Sequence, residues 1–482
     1  MKELKDNLTL MTDFYELTMA NGYLSSDKAD QIVYFDVFYR TNPDNGGFSI
    51  FAGLDSAIKY IQNLKFTSED IKYLKSLKIF SEKFLKYLET FKFTGDVYSV
   101  TEGTIIFPNE PVMTIRGKII EVQFLETFVL NAINFQSLIA TKANRIVRAA
   151  NGKAISEFGA RRAHSPLGAT LGARSAIIGG CQSTSNTLTG ILYDAKVSGT
   201  MAHSWVQLFD SEFLAFKAYC ECYPDNVVLL IDTYDTLNEG IYNAIKAFDE
   251  VLKPLNKRPI GVRIDSGDIA YLSKKLRKIL DGSGYKDCLI VASNSLDEFI
   301  IESLERQKAP IDLYGVGERL ITSKSSPIFD GVYKLVAVEE KGKIIPKIKI
   351  SDTSQKTTTP HFKKLYRLYD SESQKALADL ICVHDETFDN KEPLELFDPV
   401  DTWKRKVFTN FTIRELLVPI FKQGKLVYKL PNIIDIQKYA KTEIERLWDE
   451  VKRFENPHSY YVDLSEKLYK IKEELLNKKG KR

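Results

Sequence analysis

Cysteine is scarce, and its spacing excludes two whole classes of protein. The five residues Cys181, Cys220, Cys222, Cys288 and Cys382 are odd in number and scattered. That leaves neither a disulfide framework nor the paired C-x-x-C spacing of a structural zinc site. Cys288 lies in the apolar run CLIVA and reads as a buried small hydrophobe. An excess of one charge is missing as well: 67 basic residues against 64 acidic leave +3. That balance gives no electrostatic footprint for nucleic acid. The opening stretch MKELKDNLTLMTDFYELTM has no signal-peptide apolar core, and no uninterrupted apolar run is long enough to span a bilayer. The expectation is a cytoplasmic protein with no membrane partner. The basic terminus Asn477–Arg482 reads as a solvated, frayed end.

What is present is a rhythm. At 482 residues, 44% hydrophobic and 27% charged, the chain has the composition of a soluble globular protein and is too long for one ordinary core. Between about residues 154 and 320 it repeats a short apolar run, a polar or glycine cluster, and a helical stretch. The clusters are EFGARRAHS (157–165), CQSTSN (181–186), GTMAHS (199–204), IDTYDT (231–236), RIDSGD (263–268), SNS (293–295) and GVGER (315–319). Strands alternating with helices predict βαβ units, a parallel sheet and an α/β fold. In such sheets the loops leaving the carboxyl ends of the strands carry the chemistry. Seven clusters of this kind predict one pocket ringed by functional groups, hence an enzyme.

The flanks read differently. Residues 1–130 are expected to form an α+β domain, with a first helix carrying Asp13, Tyr15 and Glu16 and a strand over 31–40. Residues 131–350 are expected to form the βα domain. A hairpin is expected over 329–352, and residues 351–482 are expected to be a strand and helical extension, with a loop over 353–361, a strand over 363–370 and helices near 435–454 and 463–478.

Individual clusters allow more than one reading. His203 sits at the start of a helix, where an imidazole can meet a phosphoryl group or simply cap the turn. Asp232 and Asp235, like Asp265 and Asp268, follow apolar runs. Carboxylates there can hold ribose hydroxyls, orient a histidine or approach Mg2+, while one of each pair can instead be a helix N-cap. Arg263 in the same cavity would meet a phosphate; Arg161 and Arg162 beside Phe158 suit a flat ring bearing a carboxylate, or a surface salt bridge. The small-residue loops SNS and GVGER match a phosphate cradle of backbone N–H groups.

Together, TDFYELTMANGY (12–23), FGARRAH (158–164), GTMAHSW (199–205), IDTYDT, VRIDSGD, SNSLDE (293–298), YGVGERL (314–320) and GVYKLVA (331–337) closely resemble the nicotinate phosphoribosyltransferase family. The resemblance covers about three quarters of the chain, in family order. It implies an irregular βα barrel of the type II phosphoribosyltransferase kind. The implied reaction joins nicotinic acid to phosphoribosyl pyrophosphate, giving nicotinate mononucleotide and pyrophosphate, coupled to ATP hydrolysis. His203 matches the histidine that ATP phosphorylates. Tyr15, Phe158 and Arg161 match positions around the pyridine ring, with Tyr15 supplied by the second subunit of a homodimer. Arg263, Asp265 and Asp232 match residues at the ribosyl and pyrophosphate portion. Thr200, Ser293, Asn294, Ser295, Gly315, Gly317 and Arg319 match phosphate-binding positions, and Mg2+ would ride on the pyrophosphate. Asn186 stands where the related nicotinamide enzyme has an aspartate, which fits the acid as substrate. Glu318 and Ser295 depart from the pattern, Glu318 by bringing a carboxylate into a phosphate loop. A nicotinamide or quinolinate enzyme, a silent paralogue and a barrel aldolase are the alternatives. Retention of His203, Arg263, Asp265 and Asp232, and the lack of a lysine in any cluster, count against the last two.

Overall fold

The computed structural model describes residues 7–351 and 357–480. Two compact units emerge: Met1–Leu138 with Ile328–Pro431 and Lys438–Arg482, and Ile139–Pro327 with Asn432–Gln437.

The second unit holds the rhythmic section. Its six strands are Ala154–Glu157, Ser183–Thr184, Val228–Leu230, Gly261–Ile264, Leu289–Ser293 and Leu313–Val316, all paired in parallel. Around the sheet they follow chain order, and the last strand pairs back onto the first (Val316 against Glu157). The result is a curled, barrel-like sheet, open between the strands Ser183–Thr184 and Val228–Leu230. Parallel strands are covered on both faces, so they read as continuous apolar runs rather than alternating ones. Leu229, Leu230, Val262, Ile264 and Ile290 are accordingly buried with Phe216, Phe248, Leu276 and Leu280 from the helices outside them. Each such side chain contributes about 1.5–3 kcal/mol on burial. The helix Ile269–Gly282 is amphipathic and opens on an Asp268 cap that accepts from the Tyr271 N–H (3.0 Å). Asp235 likewise caps Thr236–Gly240. Of each aspartate pair, then, the second is the cap.

Two clusters break the rhythm. The apolar residues before CQSTSN belong to the helix Pro166–Ile178, and the strand Ser183–Thr184 lies inside the cluster itself. Before GTMAHS there is only a single bridge, Thr184 to Val197.

The first unit is built on a seven-stranded antiparallel sheet. Its strands run in the order Lys343–Pro346, Gly331–Glu340, Ile32–Tyr39, Met113–Lys118, Asp96–Ser99, Val418–Lys422 and Lys425–Leu426. The hairpin turns at Lys341-Gly342, both with positive φ. A four-stranded sheet contains Phe411–Glu415, Lys363–Asp370, Ala376–Val383 and Val462–Leu464. The expected strand over 363–370 is present, while the expected loop over 353–361 falls partly outside the described residues. The helix expected over 435–454 ends earlier, spanning Ile433–Glu445, and the last helix is Glu466–Gly480. The end expected to fray, 477–482, is helical as far as Gly480, and its last two residues lie outside the described residues. Among the described residues no helix is long and apolar enough to cross a membrane.

This unit buries charge that no sequence pattern announces. Arg367, fully buried, forks onto both oxygens of Asp379 (2.8 and 2.6 Å), while the Tyr460 hydroxyl donates to Asp379 (2.9 Å). On the strand Val462–Leu464, burial and the nearby Asp398 carboxylate push the Asp463 carboxyl up to about 6. A folded-state value above the unfolded one means that Asp463 contributes stability present below about pH 4, lost as pH rises through about 6. Asp463→Asn is expected to raise stability at pH 7 by about 1 kcal/mol once solvent screening is allowed for, and to have no effect below pH 4. Thermal melts at both pH values check this; equal shifts at the two would contradict it.

Candidate active site

The carboxyl ends of three neighbouring strands converge on one chain of contacts. Asp232, two residues past Val228–Leu230, is buried. Its Oδ2 accepts from the backbone N–H of Asp265 (2.9 Å) and from the Ser266 hydroxyl (2.5 Å). Asp265, just past Gly261–Ile264, accepts at Oδ1 from the Ser293 hydroxyl (2.5 Å), at the end of the next strand. Its other oxygen lies 3.9 Å from Nε2 of His203. The opposite ring nitrogen, Nδ1, is 3.1 Å from Oγ1 of Thr233. His203 is the first residue of the helix His203–Leu208, about two fifths exposed. Six residues sum to little dipole, so the contacts to Thr233 and Asp265 orient this ring. Thr233 and Ser266 had no assigned role in the sequence; each is a hydroxyl adjoining a named aspartate, and that adjacency was the available signal.

Arg263 reaches across from the strand Gly261–Ile264 to the loop before His203, where its Nη2 donates to the Met201 carbonyl (2.9 Å). Its Nε is buried with no hydrogen-bond partner among the described residues. Burial pulls its pKa below the usual arginine range; Asp265 and Asp232 pull it back up, and Arg161 pushes it down. An arginine stays charged under such pressure. The site therefore holds a half-buried cation with a buried, unspent donor and a second cation nearby, which is the electrostatic requirement for an anionic ligand. Asp232 presents the converse: its Oδ1 is a buried carboxylate oxygen without a partner among the described residues.

The cluster at 157–162 is arranged around Phe158. Its N–H donates to the Val316 carbonyl (2.8 Å), and its ring lies over Gly315. A Cβ at Gly315 would sit 2.5 Å from Cδ2 of that ring. Gly315 is thus a strand residue that makes room for an aromatic ring, and Gly317 passes close to the Phe158 carbonyl (3.0 Å from a built Cβ). Arg161 and Arg162, in the short turn Ala160–Arg162, are exposed. Asn186 caps the helix Thr187–Tyr193, accepting at Oδ1 from Leu188 (3.1 Å) and Thr189 (3.3 Å). The cap uses the carbonyl oxygen and leaves the amide NH2 as the group able to meet a ligand.

In the small-residue loops, Asn294 (φ 87°) and Ser295 (φ 48°) both occupy the left-handed region. Two consecutive non-glycine residues there hold strain of the kind that clusters at functional sites. Glu318 does not face an anion unscreened: Lys324 Nζ lies 2.9 Å from its carboxylate, and that bond lowers its pKa. Arg319 pairs with Asp297, the cap of Glu298–Arg306. Thr200 donates to the Met201 carbonyl (3.3 Å).

Contacts therefore join His203, Asp232, Asp265 and Ser293, with Arg263 bonded to the Met201 carbonyl on the loop before His203, and separately Phe158 with Gly315 and Gly317. Tyr15 belongs to the other unit. It lies on the helix Phe14–Ser25, 44% exposed, where burial and the neighbouring Glu126 and Glu16 raise its hydroxyl pKa. Among the described residues no three acidic, histidine or cysteine side chains converge to hold a metal ion.

Family models for nicotinate phosphoribosyltransferase match in three stretches: an N-terminal domain over residues 10–134, the family proper over 153–383, and a C-terminal domain over 362–472. The nicotinate phosphoribosyltransferase of Bacillus subtilis is 43% identical over 467 residues, covering 97% of this chain and 95% of that protein. The Caenorhabditis elegans nicotinate phosphoribosyltransferase is 34% identical, over 96% of this chain and 92% of the relative. Among solved structures, human nicotinic acid phosphoribosyltransferase superposes with a TM-score of 0.86 at 27% identity, covering 96% of this chain and 99% of that one.

Proposed function

The chain belongs to the nicotinate phosphoribosyltransferase family, and we propose from there that it transfers phosphoribosyl from phosphoribosyl pyrophosphate to nicotinate, forming nicotinate mononucleotide and pyrophosphate in NAD biosynthesis, with ATP hydrolysis coupled to the exchange. The observation that carries the residue assignment is the linked set His203, Thr233, Asp232, Asp265 and Ser293 beside Arg263.

The pyridine nitrogen attacks C1 of the ribosyl group with its lone pair as the bond from C1 to the pyrophosphate oxygen breaks. Arg263 meets the charge that grows on the departing pyrophosphate, and Asp232 and Asp265 face the cation-like ribosyl centre. Phe158 and Arg161 hold the ring and its carboxylate, the amide of Asn186 adds a donor without repelling the acid, and Tyr15 of a second copy closes the slot. The loops 293–295 and 315–319, with Thr200, take the phosphate. His203 accepts the γ-phosphoryl group of ATP as the P–O bond to ADP breaks; water later splits the N–P bond. For Mg2+ the hard oxygens of Asp232 and Asp265 are a fitting but incomplete donor set, so the ion would be held chiefly by pyrophosphate oxygens. When bound it offsets negative charge on the leaving group. A homodimer is supported by exposed apolar residues on two faces: Phe14, Tyr15 and Met19 on one helix, Leu188, Ile191 and Leu192 on another. The cytoplasm suits five cysteines that are all unpaired.

The test is direct. With phosphoribosyl pyrophosphate and Mg2+, nicotinate should yield mononucleotide and ATP should raise the yield, while nicotinamide or quinolinate should yield little. A preference for nicotinamide would overturn the acid assignment.

A further inference from the structure

We propose that Glu157 is a positioning residue for the pyridine slot: its buried carboxylate ties the loop carrying Phe158 and Arg161 to the loop carrying Asn186. This rests on the reading that those two loops hold the ring.

Glu157 is the last residue of the strand Ala154–Glu157 and is fully buried. One carboxylate oxygen accepts from the backbone N–H of Gly159, immediately after Phe158. The other accepts from the Thr184 hydroxyl (2.6 Å) on the neighbouring strand. Thr184 passes the constraint on, because its Oγ1 accepts from the backbone N–H of Asn186 (3.0 Å). The main chain reinforces the link, with the Glu157 carbonyl accepting from the Ser185 N–H (2.9 Å). One residue thus reaches both walls of the slot by three routes.

The turn it holds has no slack. A Cβ at Gly159 would meet Cβ of Ile321 at 2.6 Å and the Glu157 carboxylate at 2.7 Å. A carboxylate also suits the position better than an apolar side chain would. It faces two donors, and each would be left buried and unpaired without it. Burial raises the Glu157 pKa, while the bonds from Thr184 and Gly159 lower it. Both oxygens are spent on the loops, so Glu157 acts through Phe158, Arg161 and Asn186 rather than on the substrate.

The experiment compares Glu157→Ala, Glu157→Gln and Thr184→Val with the wild-type enzyme, measuring kcat, KM for each substrate and thermal melting. Loosening the slot should raise KM for nicotinate about tenfold or more in Glu157→Ala and Thr184→Val, with KM for phosphoribosyl pyrophosphate within about twofold. Glu157→Gln retains an acceptor for Gly159 and an amide that can donate to Thr184, and should stay within about threefold of wild type. Equal shifts in both KM values, or an unchanged nicotinate KM, would overturn the proposal. If Glu157→Ala does not fold, Thr184→Val, which removes a single hydroxyl and leaves the carboxylate on Gly159, decides. Phe158→Ala and Arg161→Ala separate the two layers of the argument. If they leave the nicotinate KM unchanged, the ring-site reading fails; if they raise it while the Glu157 and Thr184 variants do not, only the positioning role fails.

Discussion

Replacing His203 with alanine is expected to abolish the stimulation of product formation by ATP and to leave a slow, ATP-independent transfer. The drop in ATP-coupled turnover should be about 10²–10⁴-fold, the range over which a positioned imidazole contributes. The geometry gives the reason. Nδ1 is held by Thr233 at 3.1 Å, while Nε2, 3.9 Å from Asp265, makes no hydrogen bond among the described residues and keeps a lone pair for the phosphoryl group, and the ring stays about two fifths exposed and so within reach of a nucleotide. The hydroxyls beside it, on Thr233 and Ser266, are already engaged with His203 and Asp232. His203→Asn can keep a hydrogen bond to Thr233 yet offers no nucleophile, so it should fail as completely as alanine. Incubation with γ-labelled ATP should label the wild-type chain and neither variant. Full ATP coupling in either variant would remove His203 from the phosphoryl step.

The barrel was legible because its strands are buried on both faces, which prints them as apolar runs, and because polar side chains gather where those runs stop. That signal pointed to Asp232, Asp265 and Ser293, whereas His203 follows no strand and was singled out by its place at the start of a helix. It could not separate the aspartate that faces the sheet edge from the one that caps the following helix, since both follow the same run; the fold separates Asp232 from Asp235 and Asp265 from Asp268. It also failed where a strand shrinks to the two residues Ser183–Thr184 or to the single bridge at Val197, because pieces that short have no period to detect. Glu318 stood out as a carboxylate in a phosphate loop, yet its partner Lys324 lies beyond the helix Glu318–Ile321, out of reach of any helical spacing rule. Long-range pairing hid the rest. The strand Ala376–Val383 is buried almost throughout, so it lacks the alternation of a half-exposed strand, and the Arg367–Asp379 pair exists only once two strands are laid side by side. Glu157 sat in plain view inside EFGARRAHS. Its role depends on Thr184, a residue of another strand, and no linear pattern encodes that pairing.

Arg263→Ala is expected to lower kcat/KM for phosphoribosyl pyrophosphate by about 10²–10³-fold, the loss that follows removal of one preorganised donor from a developing oxyanion. Two features of the site put the effect at that scale. The guanidinium is half-buried with its Nε withdrawn from water, so its field is screened less than that of an exposed cation, and much of the loss should persist at high ionic strength. Its bond to the Met201 carbonyl also fixes the loop that presents His203, so the substitution frees a second element. Lysine tests whether charge alone suffices. Arg263→Lys restores a cation but not the planar fork that can hold Met201 with Nη2 and still present Nε to an anion, and it should recover less than about a tenth of the lost activity. The nicotinate KM should move only a few-fold, as follows from the proposed assignment of the ring to Phe158 and Arg161. The opposite pattern, an intact rate with phosphoribosyl pyrophosphate and a weakened nicotinate KM, would transfer Arg263 to the ring side of the pocket, where its proximity to Arg161 would then need a carboxylate between them.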